Sequence, residues 1–242
     1  MSALRNILVA VKPGALDSHP LRSAMALATR ARARLTMLNV ADSRRPRGGM
    51  EAGLPQGVPL HTAVGIPAIE IAREAESRGV DLIVLGRELP TQVDHRHGRD
   101  TVEGTVRRSR VPCVLVPRGH QEFARVLAAV DGGPDSREVI AAALLVGRLF
   151  DASVRAVRVE APVLMGVGAS TGVHELPSAV GDEPIVCQGD PVSEILRVVR
   201  EEHVDLLVFG HHRGGPVSTH ATSGVAARLL LRAPCAVLTV PI

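Results

Sequence analysis

Lysine is almost missing from this chain. Lys12 is the only one, and apart from the histidines every other basic side chain is arginine. A Walker-type loop sets a lysine on the β- and γ-phosphates, and Schiff-base chemistry needs a lysine nucleophile. Both are therefore excluded everywhere but at Lys12. Aromatic side chains are nearly as scarce: there is no Trp, no Tyr, and only Phe123, Phe150 and Phe209. Stacking of bases on exposed rings has almost nothing to use. The net charge of +3 is spread along the sequence. No nucleic-acid partner is expected from it. Cysteine is limited to Cys113, Cys187 and Cys235, without a Cys-x-x-Cys pair. That set supports neither a disulfide framework nor a zinc site. No stretch approaches the roughly 18 apolar residues that cross a bilayer. The first apolar run, Ile7–Val11, is too short for the core of a signal peptide. A cytoplasmic protein without a membrane partner is the expectation.

What is present is order on a longer scale. Apolar residues make up 45% of the 242, enough for a core in each of two domains. Asn6-Ile-Leu-Val-Ala-Val11 returns 119 residues later as Arg125-Val-Leu-Ala-Ala-Val130. Gly65-Ile-Pro67 returns after 124 as Gly189-Asp-Pro191, and Val80-Asp-Leu-Ile-Val-Leu-Gly86 after 124 as Val204-Asp-Leu-Leu-Val-Phe-Gly210. Pro112-Cys113 returns as Pro234-Cys235, 122 residues on. Four landmarks in the same order predict a duplicated domain, residues 1–120 and 121–242, with the junction near Gly119–Glu122.

Each half alternates strand and helix. The second half predicts strands over Val126–Val130, Ser153–Val159, Glu183–Gln188, Leu206–Phe209 and Ala236–Val240. Its helices fall over Ser136–Phe150, Val192–His203 opened by Pro191, and Gly224–Arg232. The first half predicts strands Ile7–Val11, Leu35–Val40, Leu60–Val64, Leu82–Leu85 and Val114–Val116, with helices Arg22–Ala33, Ile69–Ser77 and Thr101–Arg108. The Gly- and Pro-rich stretches Ala41–Pro59 and Ala161–Gly181 read as loops. The fold class is α/β: two tandem Rossmann-like domains, each a five-stranded parallel sheet with helices on both faces, related by a pseudo-twofold axis.

Ligands of open parallel sheets bind beyond the carboxyl ends of the strands. Candidate residues therefore follow strands: Asp131, Val159, and the segment from Gly210 to Val225. That segment carries Gly210, His212, Arg213, Gly214, Gly215, Ser223 and Gly224, and it runs into a helix. Glycines ahead of a helix N-terminus suit a phosphate, with Arg213 adding charge and Ser218, Thr219, Thr222 or Ser223 a hydroxyl. The same residues also suit a surface loop with Ser223 capping the helix. His211, His212 and His220 have no accompanying carboxylate, so no metal site is expected.

Taken together, the acidic residue after the first strand, Gly-x-Pro before a helix, Val-Asp-[apolar]4-Gly, the glycine-bearing loop and Pro-Cys before the last strand resemble the universal stress protein family. The resemblance spans nearly the whole chain, twice. It implies a five-stranded parallel α/β domain and, in one subgroup, ATP bound through Gly-x2-Gly-x9-Gly-[Ser/Thr]. Carried over, Asp131 lies near the nucleoside, the backbone of Val159 meets adenine, and Gly210 is the first loop glycine. Arg213 stands at the second glycine position and Ser223-Gly224 invert the final pair. In the first half Lys12 replaces the acid, Leu89 the second glycine and Arg99-Asp100 the final pair. Gly98 falls one residue early there, and Glu88, Asp94 and Asp100 oppose phosphate.

The resemblance thus implies an adenine nucleotide, ATP with Mg2+, in the second half and binding rather than turnover. The first half is expected to be a degenerate partner that pairs with it, with a homodimer as a further option. Two rivals stay open. One is an ATP-independent interaction module. The other is an ATP pyrophosphatase or adenylating enzyme, because Asp131-Gly-Gly-Pro-Asp-Ser136 resembles the pyrophosphate loop of that class, with Asp131 in place of its leading Ser.

Overall fold

The computed structural model describes residues 3–12, 19–41, 55–87, 96–119, 123–160, 184–212 and 224–242. They fall into two compact units, one over residues 2–121 and one over residues 122–240.

The first unit runs β1 (Asn6–Val11), α1 (His19–Ala31), β2 (Arg34–Ala41), β3 (Leu60–Val64), α2 (Pro67–Ser77), β4 (Leu82–Arg87), α3 (Arg96–Arg108) and β5 (Cys113–Pro117). Its strands lie in the order β3-β2-β1-β4-β5, and every pairing is parallel. The second unit runs β6 (Arg125–Val130), α4 (Ser136–Phe150), β7 (Ser153–Glu160), β8 (Ile185–Gln188), α5 (Pro191–Glu201), β9 (Leu206–His211), α6 (Val225–Arg232) and β10 (Ala236–Pro241). Its order, β8-β7-β6-β9-β10, is the same path. β6 pairs in parallel with β7 and β9, and β7 with β8.

Central strands covered on both faces read as continuous apolar runs rather than alternation. Ile7, Leu8 and Val9 are buried in succession in β1, as are Val126, Leu127 and Ala128 in β6. α4 turns Val139, Ile140, Ala143 and Val146 inward at helical spacing. Phe123 closes the second core edge-on against Phe150, with ring centroids 4.9 Å apart. Cys113, Cys187 and Cys235 are all buried thiols, as small hydrophobes usually are.

The repeated Val-Asp pair has a structural purpose. Asp81 accepts the backbone N–H groups of Arg5 and Asn6, both at 2.8 Å. Asp205 accepts those of Ala124 and Arg125 at 3.2 and 2.9 Å. Each carboxylate thereby pins the start of the first strand of its unit to the start of the fourth. Helices α1, α2, α4 and α5 also close alike. Arg32, Gly79, Asp151 and His203 take left-handed backbone at φ 51, 58, 53 and 50°. Each is followed by an N–H bonded back into the last helical turn: Ala33 to Ala28, Val80 to Ala75, Ala152 to Gly147, Val204 to Val199.

Several boundaries differ from the sequence reading. α1 ends at Ala31 and α5 at Glu201, because the left-handed residues Arg32 and His203 stop them. α1 starts at His19, with Pro20 in its first turn. α3 starts at Arg96 rather than Thr101. β8 starts at Ile185, after Pro184, which has no N–H to give a ladder. β4 and β9 continue through Gly86 and Gly210 to Arg87 and His211. The predicted loops lie largely outside the described residues.

Candidate functional site

In the second unit the strand order reverses at β6, with β7 on one side and β9 on the other. Such a switch point opens a crevice beyond the carboxyl ends. The register brings the predicted residues to this edge. Val130 pairs with Arg158, and Ala129 with Phe209, so Asp131, just past β6, lies level with Val159, the last residue but one of β7, and with His211, the last of β9. Val159 is half-buried opposite Cys187, and His212 is exposed just past β9.

Asp131 is exposed and held through one oxygen. Its Oδ1 accepts the N–H of Gly133 at 2.8 Å and the hydroxyl of Ser136 at 3.1 Å. The N–H of Gly132 donates to the same Ser136 Oγ at 3.1 Å. Gly132 has φ +83°, so the turn needs a residue free of the left-handed penalty. Oδ2 makes no hydrogen bond among the described residues. An aligned carboxylate with one open oxygen can accept two hydroxyls or an amine. The turn does not suit pyrophosphate, because its amides are spent on Asp131 and Ser136.

Arg158 was not singled out by the sequence reading. Its Cζ, Nε and Nη1 all lie 3.5 Å from where a Gly132 Cβ would stand, so the guanidinium lies against the turn that holds Asp131. Nη2 pairs with Glu160 Oε1 at 3.2 Å, and the side chain is 18% exposed. The available signal was a lone cation at the carboxyl end of a strand, directly before Val159.

The two glycines of the loop that the structure describes behave differently. A Cβ on Gly210 would stand 2.7 Å from Ile242 Cδ1 and 3.3 Å from Val139 Cγ2. Gly86, its counterpart, would stand 3.2 Å from Pro20 Cγ and 3.3 Å from His19 Nε2. Both glycines thus sit where the first helix or the chain end packs closely on a strand. As part of β9, Gly210 is not the loop residue expected from the sequence. Gly224 caps α6 at φ −74°, and among the described residues nothing lies within 4 Å of its absent Cβ. Neither strain nor, among the described residues, crowding asks for glycine there. Val225, the next residue, is 41% exposed.

The start of α6 is fixed from the side. Arg228, whose N–H bonds Gly224 O at 3.1 Å, reaches Asp190 with both terminal nitrogens at 3.3 Å. Asp190 caps α5 by accepting the N–H and hydroxyl of Ser193 at 2.9 and 2.8 Å. The Ser193 hydroxyl and N–H, then Arg228, hold its carboxyl below the usual carboxylate range.

Arg213, Gly214, Gly215 and Ser223 lie outside the described residues, as do Ser218, Thr219, His220 and Thr222. In the first unit Lys12 is exposed at the end of β1, where the second unit has Asp131. Gly98, Arg99 and Asp100 belong to helix α3, so Gly98 is not a loop glycine. Glu88, Leu89 and Asp94 lie outside the described residues. Among the described residues no three His, Cys, Asp or Glu side chains gather, and no helix is long and apolar enough to cross a membrane.

The sequence model of the universal stress protein family matches residues 169–241. These residues, within the second unit, carry a universal stress protein domain. The whole chain, both units included, has the fold of tandem members. A universal stress protein from Archaeoglobus fulgidus superposes over 99% of this chain and 97% of its own, with TM-score 0.72 and 16% identity. A functionally unknown protein from Pseudomonas aeruginosa does so over 99% and 93%, with TM-score 0.72 and 17% identity. No curated protein matches the sequence significantly.

Proposed function

We propose that the second unit of this universal stress protein binds an adenine nucleotide, ATP with Mg2+, and acts by binding and regulation rather than by turnover. The nucleoside lies against Asp131 and the backbone of Val159. The phosphates lie over the segment from Gly210 to Val225, against the first turn of α6. The observation that carries this reading is a held carboxylate at the switch point, in the same unit as a helix N-terminus at Gly224 that no described residue crowds. The carboxylate accepts hydroxyls of a sugar, and the helix end favours negative charge. Of the predicted contacts, Asp131, Val159, His212, Gly224 and Val225 fit this geometry. Gly210, the last residue but one of β9, leads into this segment and also packs against Ile242 and Val139. Arg213, Gly214, Gly215 and Ser223 complete the phosphate side by residue type. Mg2+ arrives with the phosphates.

The adenylating alternative loses support from the spent amides of Gly132 and Gly133. An ATP-independent interaction module is the remaining alternative. It predicts that neither unit retains a small molecule. Mass spectrometry of small molecules released when the purified protein is denatured separates the two. An adenine nucleotide in the supernatant supports the proposal. A clean supernatant, together with no uptake of added ATP on dialysis, favours the module.

A further inference from the structure

Asp190 and Arg228 join two helix starts within the second unit. Asp190 is the N-cap of α5. Arg228 closes the first turn of α6 by donating its N–H to Gly224 O at 3.1 Å. Its Nη1 and Nη2 donate to Asp190 Oδ1 and Oδ2, each at 3.3 Å. Two bonds from one planar fork fix direction as well as distance. The first unit joins its corresponding helices without such a pair. Thr105, Val106 and Ser109 are buried at the end of α3 as Leu229, Leu230 and Ala233 are at the end of α6. The N–H of Ser109 returns to Thr105 O, and that of Ala233 to Leu229 O. The spacing is 124 residues, the same that separates Pro67 from Pro191. Arg228 therefore corresponds to Gly104, and Asp190 to Ile66. Ile66 caps α2 without a side-chain hydrogen bond, and a Cβ on Gly104 would stand 2.7 Å from Ala68 Cβ. Bare contact does there what an ion pair does in the second unit.

Stability does not ask for the arginine. The side chains of Arg228 and Asp190 are 38% and 45% exposed, and exposed pairs contribute little. A cation in the first turn of a helix also opposes the helix dipole. Asp190 already accepts the N–H and hydroxyl of Ser193, so its capping role is complete without Arg228. What the fork adds is a fixed orientation for the turn that opens α6, whose N-cap, Gly224, has no side chain to anchor it.

We infer that the Asp190–Arg228 pair is a positioning device of the nucleotide site: it holds the first turn of α6 where the phosphates meet it. The inference rests on the nucleotide reading above. Both residues act through the helix rather than on the ligand, so the signs differ from those of plain charge. An arginine acting directly on phosphate would bind ATP better once Asp190 no longer competed for it. A positioning pair binds ATP worse when either member is lost.

The test titrates ATP–Mg2+ calorimetrically into the full-chain parent, Asp190→Asn, Arg228→Gln and the double variant, with the melting midpoint of each recorded. Asn keeps an acceptor for the Ser193 N–H at the α5 cap and removes the charged partner of Arg228. Each single variant is expected to bind ATP about tenfold more weakly, and the double variant no more weakly than either single, as for two groups that act as one. Hydrogen exchange of the Arg228 amide, read without nucleotide, should accelerate in Asp190→Asn. Binding by Asp190→Asn at or above parental strength overturns the inference. So does a double variant whose loss is the product of the single losses, an unchanged exchange rate, or a loss of affinity that only follows a collapsed melting midpoint. Parental binding shared equally by every variant overturns the inference and leaves the nucleotide reading in place, whereas no binding by the parent removes both.

Discussion

Asp205 accepts the backbone N–H of Arg125 at 2.9 Å, and 124 residues earlier Asp81 accepts that of Asn6 at 2.8 Å. A motif that could pass for a site signature thus serves the fold in both units. Asp81→Ala and Asp205→Ala should each lower the unfolding free energy by about 1.5–3 kcal/mol, the usual worth of hydrogen bonds to a charged group. Urea denaturation measures this. A loss below about 0.5 kcal/mol in both variants means the pins are incidental.

Gly210 and Gly224 separate packing from ligand approach. Gly210→Ala drives a methyl into Ile242 and Val139 and should cost about 1–3 kcal/mol, the usual cost of overpacking. Gly224→Ala meets no described residue and should leave the melting temperature nearly unchanged while weakening ATP binding. Thermal denaturation without nucleotide checks the first half of this statement. The reverse ranking of the two variants contradicts it.

The acid limb of stability should register Asp190. Its carboxyl is held below its ordinary range in the fold, so it contributes stability above the unfolded-state value, about 3.9. That contribution disappears as the pH falls through the lower, folded-state value. Asp190→Asn should therefore be less stable than the parent at neutral pH, with the two curves converging at strongly acidic pH. Equal stability at neutral pH would show that the Ser193 and Arg228 bonds are inconsequential.

The duplication and the alternation of strand and helix were legible because each is a repeated local pattern. Val-Asp-[apolar]4-Gly was legible as a landmark but not in its role, since the N–H groups that Asp205 binds lie about eighty residues away in sequence. Helix ends at Arg32 and His203 were missed because left-handed closure is usually marked by glycine, as at Gly79, and here arginine and histidine bear the strain. Of the candidate residues, some were placed by pattern and others depend on tertiary contacts. Asp131 and Val159 follow from strand ends, whereas Gly210 was assigned to the loop because its crowding by Ile242 and Val139 is a tertiary fact. Arg158 was passed over for the same reason, its contact with Gly132 being visible only in three dimensions.

Arg158 steadies the turn that presents Asp131, so Arg158→Ala should loosen that turn without unfolding the unit. Hydrogen exchange of the Gly132 and Gly133 amides should accelerate, and ATP affinity should fall by about tenfold, or 1.4 kcal/mol. Arg158→Lys should restore little, because an ammonium lacks the flat face that packs on Gly132. Unchanged exchange in Arg158→Ala rules out the positioning role.

Calorimetric titration of ATP–Mg2+ into the parent, Asp131→Ala, Gly214→Asp and Lys12→Ala proteins tests nucleotide binding in the second unit most directly. The account predicts one site per chain, weakened in Asp131→Ala and Gly214→Asp and unchanged in Lys12→Ala. No heat from the parent at millimolar ATP, or binding lost with Lys12 and kept without Asp131, would contradict it.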